Sequence, residues 1–474
     1  MKESLVKDLT DFANLCIKNP YRADTRLKTK LMARKLLKIY ETRDHIIQSL
    51  IGLGQDFARH RIASTHQNGS LQDHDELVWQ MENEVAVVLL GALRFAGALE
   101  MDSRHYDAGK YAQLIAPEIL DVVTVRKWNP LGVIAAAKRC ETHLENKLKG
   151  TSPELTKARA AVWSAAFGDN LSTAMRYGHI LRKQNVLIYG DSGSGKEEAA
   201  KAILDGTFQE TGTDVRHCHS INVAAIQPNL IESELFGHIK GAFTGANTGK
   251  TGAIQAADTG ILFLDEIGEL PRYLQSKFLR VMETGRVQRV GDNREIPVDV
   301  RYIAATHRNL EQMVGQNRFR LDFFYRLYGS SVIMPRLSDF IDQDLPDLIE
   351  KFMPLENQTE LGTVTEFLRS TYQDYQWPGN VRELRNVIFD YVLRGSDQTT
   401  PRPEFGTGDG TTAQRIDRND IPQAIMDVSW TESELLSWYR RRALDKHKSR
   451  ASAAGAIGVS IRTLERFCKA DGGN

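Results

Sequence analysis

The sequence predicts a multidomain chain: a mostly helical N-terminal region, a central parallel α/β domain with a helical appendage, and a small helical C-terminal domain. Three observations predict it. Short apolar runs (VLIYG at 186–190, ILFLDE at 261–266, VRYIAAT at 300–306) alternate with helical stretches, the pattern of a parallel sheet. A glycine-rich loop stands between the first of these runs and a helix. A stretch nearly free of apolar residues, GSDQTTPRPEFGTGDGTTAQ at 395–414, then precedes a basic helical tail. The 474 residues suit roughly three domains of about 150 residues each.

Composition narrows the class. The 61 Lys+Arg balance 61 Asp+Glu, so any attraction to nucleic acid has to be local. At 41% hydrophobic and 26% charged, the chain falls in the soluble globular range. The longest apolar run, Val85 to Leu99, contains Arg94; it is short and charged for a membrane span and reads as a buried helix. The stretch MKESLVKDLTDF lacks the apolar core of a secretory signal. The cysteines at 16, 140, 218 and 468 form no C-x-x-C pair, so neither a disulfide framework nor a zinc site is indicated. A cytoplasmic protein with no membrane partner is expected.

Residues 1–150 carry helix signals. Leu31, Met32, Leu36, Ile39 and Tyr40 recur at helical spacing, and the basic residues Arg22, Arg26, Lys28, Lys30, Arg34, Lys35 and Lys38 interleave with them as a solvated face. His60, His66, His74 and His105 are too unevenly spaced for a metal site, and His217 and His219 read as surface histidines. No acidic pocket with a lysine marks a phosphorylatable receiver.

The chemistry concentrates in the central domain, 155–335. After Val186–Tyr189 comes Gly190-Asp191-Ser192-Gly193-Ser194-Gly195-Lys196, then the helical KEEAAKAIL. This is the Gly-x4-Gly-Lys spacing in its strand–loop–helix setting. Glycines let successive backbone N–H groups point at phosphate oxygens, the helix start adds its positive end, and Lys196 supplies a mobile charge. Glu197 replaces the usual Ser/Thr, so that metal-binding hydroxyl is absent. Some 70 residues on, Asp265-Glu266 end a buried strand run. A carboxylate pair there suits ATP hydrolysis, with Asp265 holding Mg²⁺ and Glu266 polarising the attacking water.

ESELFGHIKGAFTGA at 232–246 closely resembles the AAA+ domain of bacterial enhancer-binding proteins, the activators of sigma-54 RNA polymerase. The resemblance runs from about 156 to 395 through the phosphate loop, GAFTGA (241–246), ILFLDEIGELP (261–271), RFRLDFFYRL (318–327) and WPGNVREL (377–384). It implies an α/β AAA+ P-loop ATPase with a helical lid at 336–395, binding ATP with Mg²⁺. It further implies that Asn222 restrains the catalytic glutamate, that Thr306 ends the sensor strand beside His307, and that Arg320 and Arg326 reach a neighbouring subunit's nucleotide. Arg382 would read the phosphates from the lid. An arginine is a rigid, always-charged fork suited to charge spreading over phosphate oxygens. The implied assembly is a homo-oligomeric ring, commonly a hexamer. In GAFTGA, Gly241 and Gly245 allow a mobile loop and Phe243 and Thr244 form its tip, flanked by Ala242 and Ala246. The resemblance makes this the contact to the sigma-54 holoenzyme, with RVGDNREIPV (289–298) moving beside it. Ile239 stands where relatives carry an acid, and Val223-Ala224 where a cysteine often follows the asparagine.

The linker (396–425) leads to a terminal domain, 426–474. Between Arg440 and Ala470 nine Lys/Arg face only Asp445 and Glu465. Leu435, Trp438 or Tyr439 and Ala443 mark one helix; Arg450–Ile457, a turn at Gly458-Val459, and Ser460 as N-cap of a last helix follow. Ile461, Leu464 and Cys468 share one face of that helix, Arg462, Arg466 and Lys469 another. This predicts a three-helix helix-turn-helix domain, similar to the Fis type, contacting double-stranded upstream DNA through Arg462, Thr463 and Arg466. The resemblance further implies a two-component-like regulator in which residues 1–150 sense an unidentified signal. Two other readings remain: an AAA+ remodeller of another class, and a DNA-binding repressor with a relic ATPase fold.

Overall fold

The computed structural model describes residues 3–22, 52–63, 130–207, 218–244, 246–354, 360–373 and 375–394, with isolated positions between 25 and 91. The chain divides into two units, Met1–Thr399 and Thr400–Asn474, and all described residues belong to the first. The expected linker and terminal domain, with Ser460, Arg462, Thr463, Arg466 and Lys469, lie outside the described residues, as does most of 23–129. No helix among the described residues is long and apolar enough to cross a membrane.

Helices among the described residues include α1 (Glu3–Cys16), α2 (Pro130–Lys147), α3 (Pro153–Phe167), α4 (Leu171–Leu181), α5 (Lys196–Asp205), α6 (Ile231–Phe236), α7 (Ala253–Ala256), α8 (Arg272–Thr284), α9 (Leu310–Gly315), α10 (Leu321–Leu327), α11 (Ile341–Phe352), α12 (Leu361–Thr371) and α13 (Asn380–Arg394). Strands β1 (Val186–Tyr189), β2 (Cys218–Asn222), β5 (Ile261–Asp265), β8 (Arg301–Thr306) and β9 (Ser330–Ile333) form one parallel sheet in the order β2-β5-β8-β1-β9. The pairs β3 (Gly237–His238) with β4 (Lys250–Thr251), and β6 (Arg286–Gln288) with β7 (Glu295–Pro297), are short antiparallel ladders.

Because successive strand residues point to opposite faces, each buried strand feeds two cores. Val186, Ile188, Ile261, Phe263, Ile303 and Ala305 pack with α2, α3 and α5, while Leu187, Leu262, Leu264, Tyr302 and Ala304 pack with α8 and α10. Phe278 of α8 sits at the centre of the second core, its ring 5.3 Å from Tyr302 and 5.7 Å from Phe323. A third core, built on Leu348, Ile349, Val364, Leu368, Trp377 and Leu384, holds α11–α13 together as a lid.

Helix ends follow local chemistry. Ser152 caps α3 ahead of Pro153, and Gly168 stops it at φ +70°. Asn170 caps α4 by accepting from the Thr173 amide. The sequence groups residues 130–147 with the N-terminal third; in the structure α2 instead packs lengthwise along α5. Residues 12–22 dock on α3 as well. Asn19 is fully buried and donates to Ala160 O and Ser164 Oγ, and the Arg159 guanidinium lies 5.2 Å from the Tyr21 ring.

Candidate functional site

The loop from Gly190 to Gly195 joins β1 to α5 at the carboxyl edge of the sheet. Gly193 (φ +77°) and Gly195 (φ +97°) occupy the left-handed region, which glycine enters without strain. A Cβ on Gly193 would lie 2.3 Å from Gly379 O, so the loop and the lid touch through bare backbone. The contact is fastened by buried Asn380, which donates to Ser192 O (3.0 Å), and by Arg382, which donates to Ser192 Oγ (3.3 Å). Lys196 is buried and folds back onto its own loop, donating to Gly190 O (2.8 Å) and Asp191 O (3.3 Å), with Glu266 3.6 Å away. The Ser194 hydroxyl is buried without a hydrogen-bond partner among the described residues. Asp191 pairs with Arg336 and Glu197 with Lys201.

The acidic pair is set by strand register. Parallel pairing of β2 with β5 places Asn222 opposite Asp265, and the Asn222 amide donates to Asp265 Oδ2 at 3.0 Å. Burial, and then the charge of Glu266, push the Asp265 carboxyl above its ordinary range. Glu266 has a left-handed backbone, φ +55°. Its Oε2 accepts from His307 Nδ1 (2.7 Å) and from the His307 amide (3.3 Å). The expected Asn222–Glu266 contact is therefore not made in this structure: register commits Asn222 to Asp265, and His307 holds the glutamate. Thr306 is fully buried; its hydroxyl accepts from the Arg308 amide and its carbonyl from the Gly190 amide, so it braces the loop and does not face the cleft.

These elements enclose a cleft of about 410 Å³ between the phosphate loop, the end of β5 and the lid. Sequence reasoning placed Gly190 to Glu197, Asn222, Asp265, Glu266 and Arg382 at this site; all line it except Gly190 and Asp191, which face a separate hollow beside Arg336. It missed Glu198, Lys147, Leu148, Lys351 and Arg385. Arg385 was detectable as the residue three after Arg382 on one helix face; Lys351 and Lys147 meet only through packing. Lys351 donates to Lys147 O (2.5 Å). Burial drives its ammonium down to about 8, aided by Lys147 and Lys149 and opposed by Glu198. The lining combines cations, the glycine-rich loop and an orphaned serine hydroxyl with apolar Leu148, Leu155, Phe340 and Leu348, a mixture that fits a polyphosphate joined to an apolar base.

A second feature lies away from the cleft. Phe243 is 40% exposed on a turn closed by Gly241 N to Ala246 O (2.9 Å) and Ala246 N to Phe243 O (3.0 Å). Gly245 is outside the described residues. Beneath the turn His238 is buried: Ser233 Oγ donates to Nδ1 (2.7 Å), Nε2–H donates to Thr248 O (2.9 Å), and the Phe243 ring stands edge-on at 5.0 Å. Residues 289–291 lie against it, with Ile239 N bonded to Val290 O and a Cβ on Gly291 only 2.9 Å from Ala242 Cβ.

Residues 166–332 match the sigma-54 interaction domain, and residues 342–402 match the AAA+ ATPase lid domain. The chain carries a sigma-54 interaction domain. The acetoin catabolism regulatory protein of Cupriavidus necator is 39% identical over 302 residues, 60% of this chain and 42% of that protein. The regulatory protein AtoC of Escherichia coli is 40% identical over 247 residues, 48% of this chain and 52% of AtoC. The anaerobic nitric oxide reductase transcription regulator NorR of Escherichia fergusonii is 34% identical over 335 residues, 69% of this chain and 62% of NorR. The chain thus spans about half the length of such relatives.

Within the sigma-54 interaction domain, Arg320 and Arg326 do not line the chain's own cleft. Arg320 grips Asp322 through two nitrogens (3.0 and 2.7 Å) and donates to Ser276 Oγ (3.0 Å). Arg326 donates to Met282 O (2.7 Å).

Proposed function

We propose that this chain is an ATP-hydrolysing activator of sigma-54-dependent transcription. In this reading it binds upstream DNA through residues 426–474, assembles as a hexameric ring in the cytoplasm, and uses ATP turnover to remodel the closed promoter complex of the sigma-54 holoenzyme. One observation carries the reading: a Lys196 phosphate loop faces the Asp265–Glu266 pair in a domain that also exposes Phe243 of the GAFTGA sequence.

The chemistry follows from the residues. An arriving nucleotide offers its phosphates to Lys196, which exchanges the Gly190 and Asp191 carbonyls for them. Asp265, a half-buried carboxylate with acceptor capacity beyond its bonds to Asn222 and Glu266, is the residue that would hold Mg²⁺. When bound there, Mg²⁺ would supply positive charge to offset that of the phosphates. Glu266 orients a water and takes its proton as the oxygen attacks the γ-phosphorus and the bond to ADP breaks. To do so it must leave His307. Arg320 and Arg326 act on a neighbouring copy's nucleotide, which makes turnover depend on assembly. Arg382 and Asn380 tie the lid to Ser192, so phosphate-loop movement reaches α13.

The test is ATPase activity across a protein concentration series, paired with Thr244→Ala. Turnover should rise cooperatively with concentration, and Thr244→Ala should hydrolyse ATP without opening a sigma-54 promoter. Absence of turnover at every concentration, or promoter opening by Thr244→Ala, would overturn the proposal.

A further inference from the structure

Helix α2 buries Ala136, Ala137, Cys140 and Leu144 in the core it shares with α5, and at its rim His143 reaches across to that helix. His143 Nδ1 lies 2.9 Å from Asp205 Oδ2 and Nε2 lies 3.0 Å from Glu198 Oε2. Both partners are carboxylates, which accept, so a ring bonded to both donates from both nitrogens and is an imidazolium. Arg139 secures the same end of α5, donating to Asp205 O (3.2 Å) and Thr207 O (3.1 Å). Glu198 and Asp205 are seven residues apart, so the bridge spans two turns of the helix that begins at Lys196. Glu198 itself lines the cleft. A few residues on, the same stretch grips the lid: Lys149 pairs with Glu350, and Asp344 accepts from the Thr151 and Ser152 amides.

We propose that His143 is a positioning residue for the nucleotide cleft: as an imidazolium it fixes the helix behind the phosphate loop and neutralises an acid on the cleft wall. The inference rests on the nucleotide reading above. Burial opposes the ring's charge, but the hydrogen bonds and charges of Asp205 and Glu198 outweigh it and push His143 up to about 9. The hydrogen bond from His143 is the largest influence on Glu198, which is drawn down to about 2. Charged groups facing the bridge include Glu198, Asp205 and Lys201 on α5, Arg139 on α2, and Lys351 on α11. Once His143 loses its proton, Glu198 on the cleft wall keeps only the more exposed Lys201 as an ion-pair partner, beside a loop that must accept a polyphosphate.

The experiment is calorimetric binding of ADP to the full chain between about pH 7 and pH 10. Because Lys351, pushed down to about 8, titrates in the same cleft, the pH profiles are taken in a Lys351→Arg background, after ADP binding at pH 7 is measured with Lys351 intact. The parent should lose affinity several-fold as pH rises through about 9. His143→Gln should bind several-fold more weakly at pH 7 and show no alkaline step. His143→Lys, which keeps a cation, should recover most of the affinity and bind evenly up to pH 9. If His143→Gln matches the parent in affinity and profile, or His143→Lys binds no better than His143→Gln, the inference is overturned while the nucleotide reading stands. If His143→Gln does not fold, the parent's profile against that of His143→Lys decides. A chain with Lys351 intact that binds no ADP overturns both.

Discussion

Replacing Asp344 by alanine should loosen the joint between the lid and the chain that enters the ATPase core. Asp344 is fully buried on α11. Its Oδ1 accepts from the amides of Thr151 (2.7 Å) and Ser152 (3.0 Å), and its Oδ2 accepts from Ser152 Oγ (2.5 Å). Hydrogen bonds to a charged group contribute about 1.5–3 kcal/mol each, so three would sum to about 4.5–9 kcal/mol if independent. They share one carboxylate and water can enter the vacated space, so about 3–5 kcal/mol is expected, the range for breaking a buried charged network. Asparagine keeps one acceptor and the shape, and the Ser152 hydroxyl can turn to accept from its amide; about half the loss is expected. Hydrogen exchange read by mass spectrometry isolates the effect, because Thr151 and Ser152 amides are protected by Asp344 itself. At 1.4 kcal/mol per factor of ten, exchange across 150–156 should accelerate by roughly a hundredfold or more in Asp344→Ala. Exchange within a factor of about three of the parent would refute the assignment of Asp344 as the joint.

Gly193→Ala should weaken ADP binding about tenfold or more in a calorimetric titration, since a Cβ would meet Gly379 O at 2.3 Å on a backbone at φ +77°, where an L-residue is strained by about 1–2 kcal/mol. Phe278→Ala should destabilise the domain by about 3–5 kcal/mol in chemical denaturation, because its ring is fully buried against Phe236, Tyr302 and Phe323. The His143 bridge predicts a pH trend in stability. A histidine raised from 6.5 to about 9 on folding stabilises fully below 6.5 and loses that contribution as pH rises through about 9. The thermal midpoint should therefore fall more between pH 7 and pH 10 in the parent than in His143→Gln, by scanning calorimetry.

What the sequence disclosed and what it withheld divide along range. The phosphate loop is one contiguous strand–loop–helix, and β5 and β8 are apolar runs whose alternation feeds two cores, so spacing alone reveals them. The partner of Asn222 was illegible, since it depends on register between strands separated by 43 positions. The docking of α2 on α5 was also hidden, because small residues such as Ala136 and Ala137 carry no signal of the helix they face. Lys351 and Lys147 lie in separate helices, and nothing local marks either as part of a cleft. β9 was missed because SSVI is short and half polar.

Glu266 turns left where an ordinary residue would turn right. An L-residue in that conformation carries about 1–2 kcal/mol of strain, which glycine or asparagine would relieve. The position therefore sets durability against turnover: a more stable sequence is available at this corner, and it lacks the carboxylate. Putting the small residue there would relieve the strain and abolish the proposed hydrolysis. The backbone, and not a rotamer, thus determines where the carboxylate starts, leaving only side-chain torsions to move it between His307 and a water.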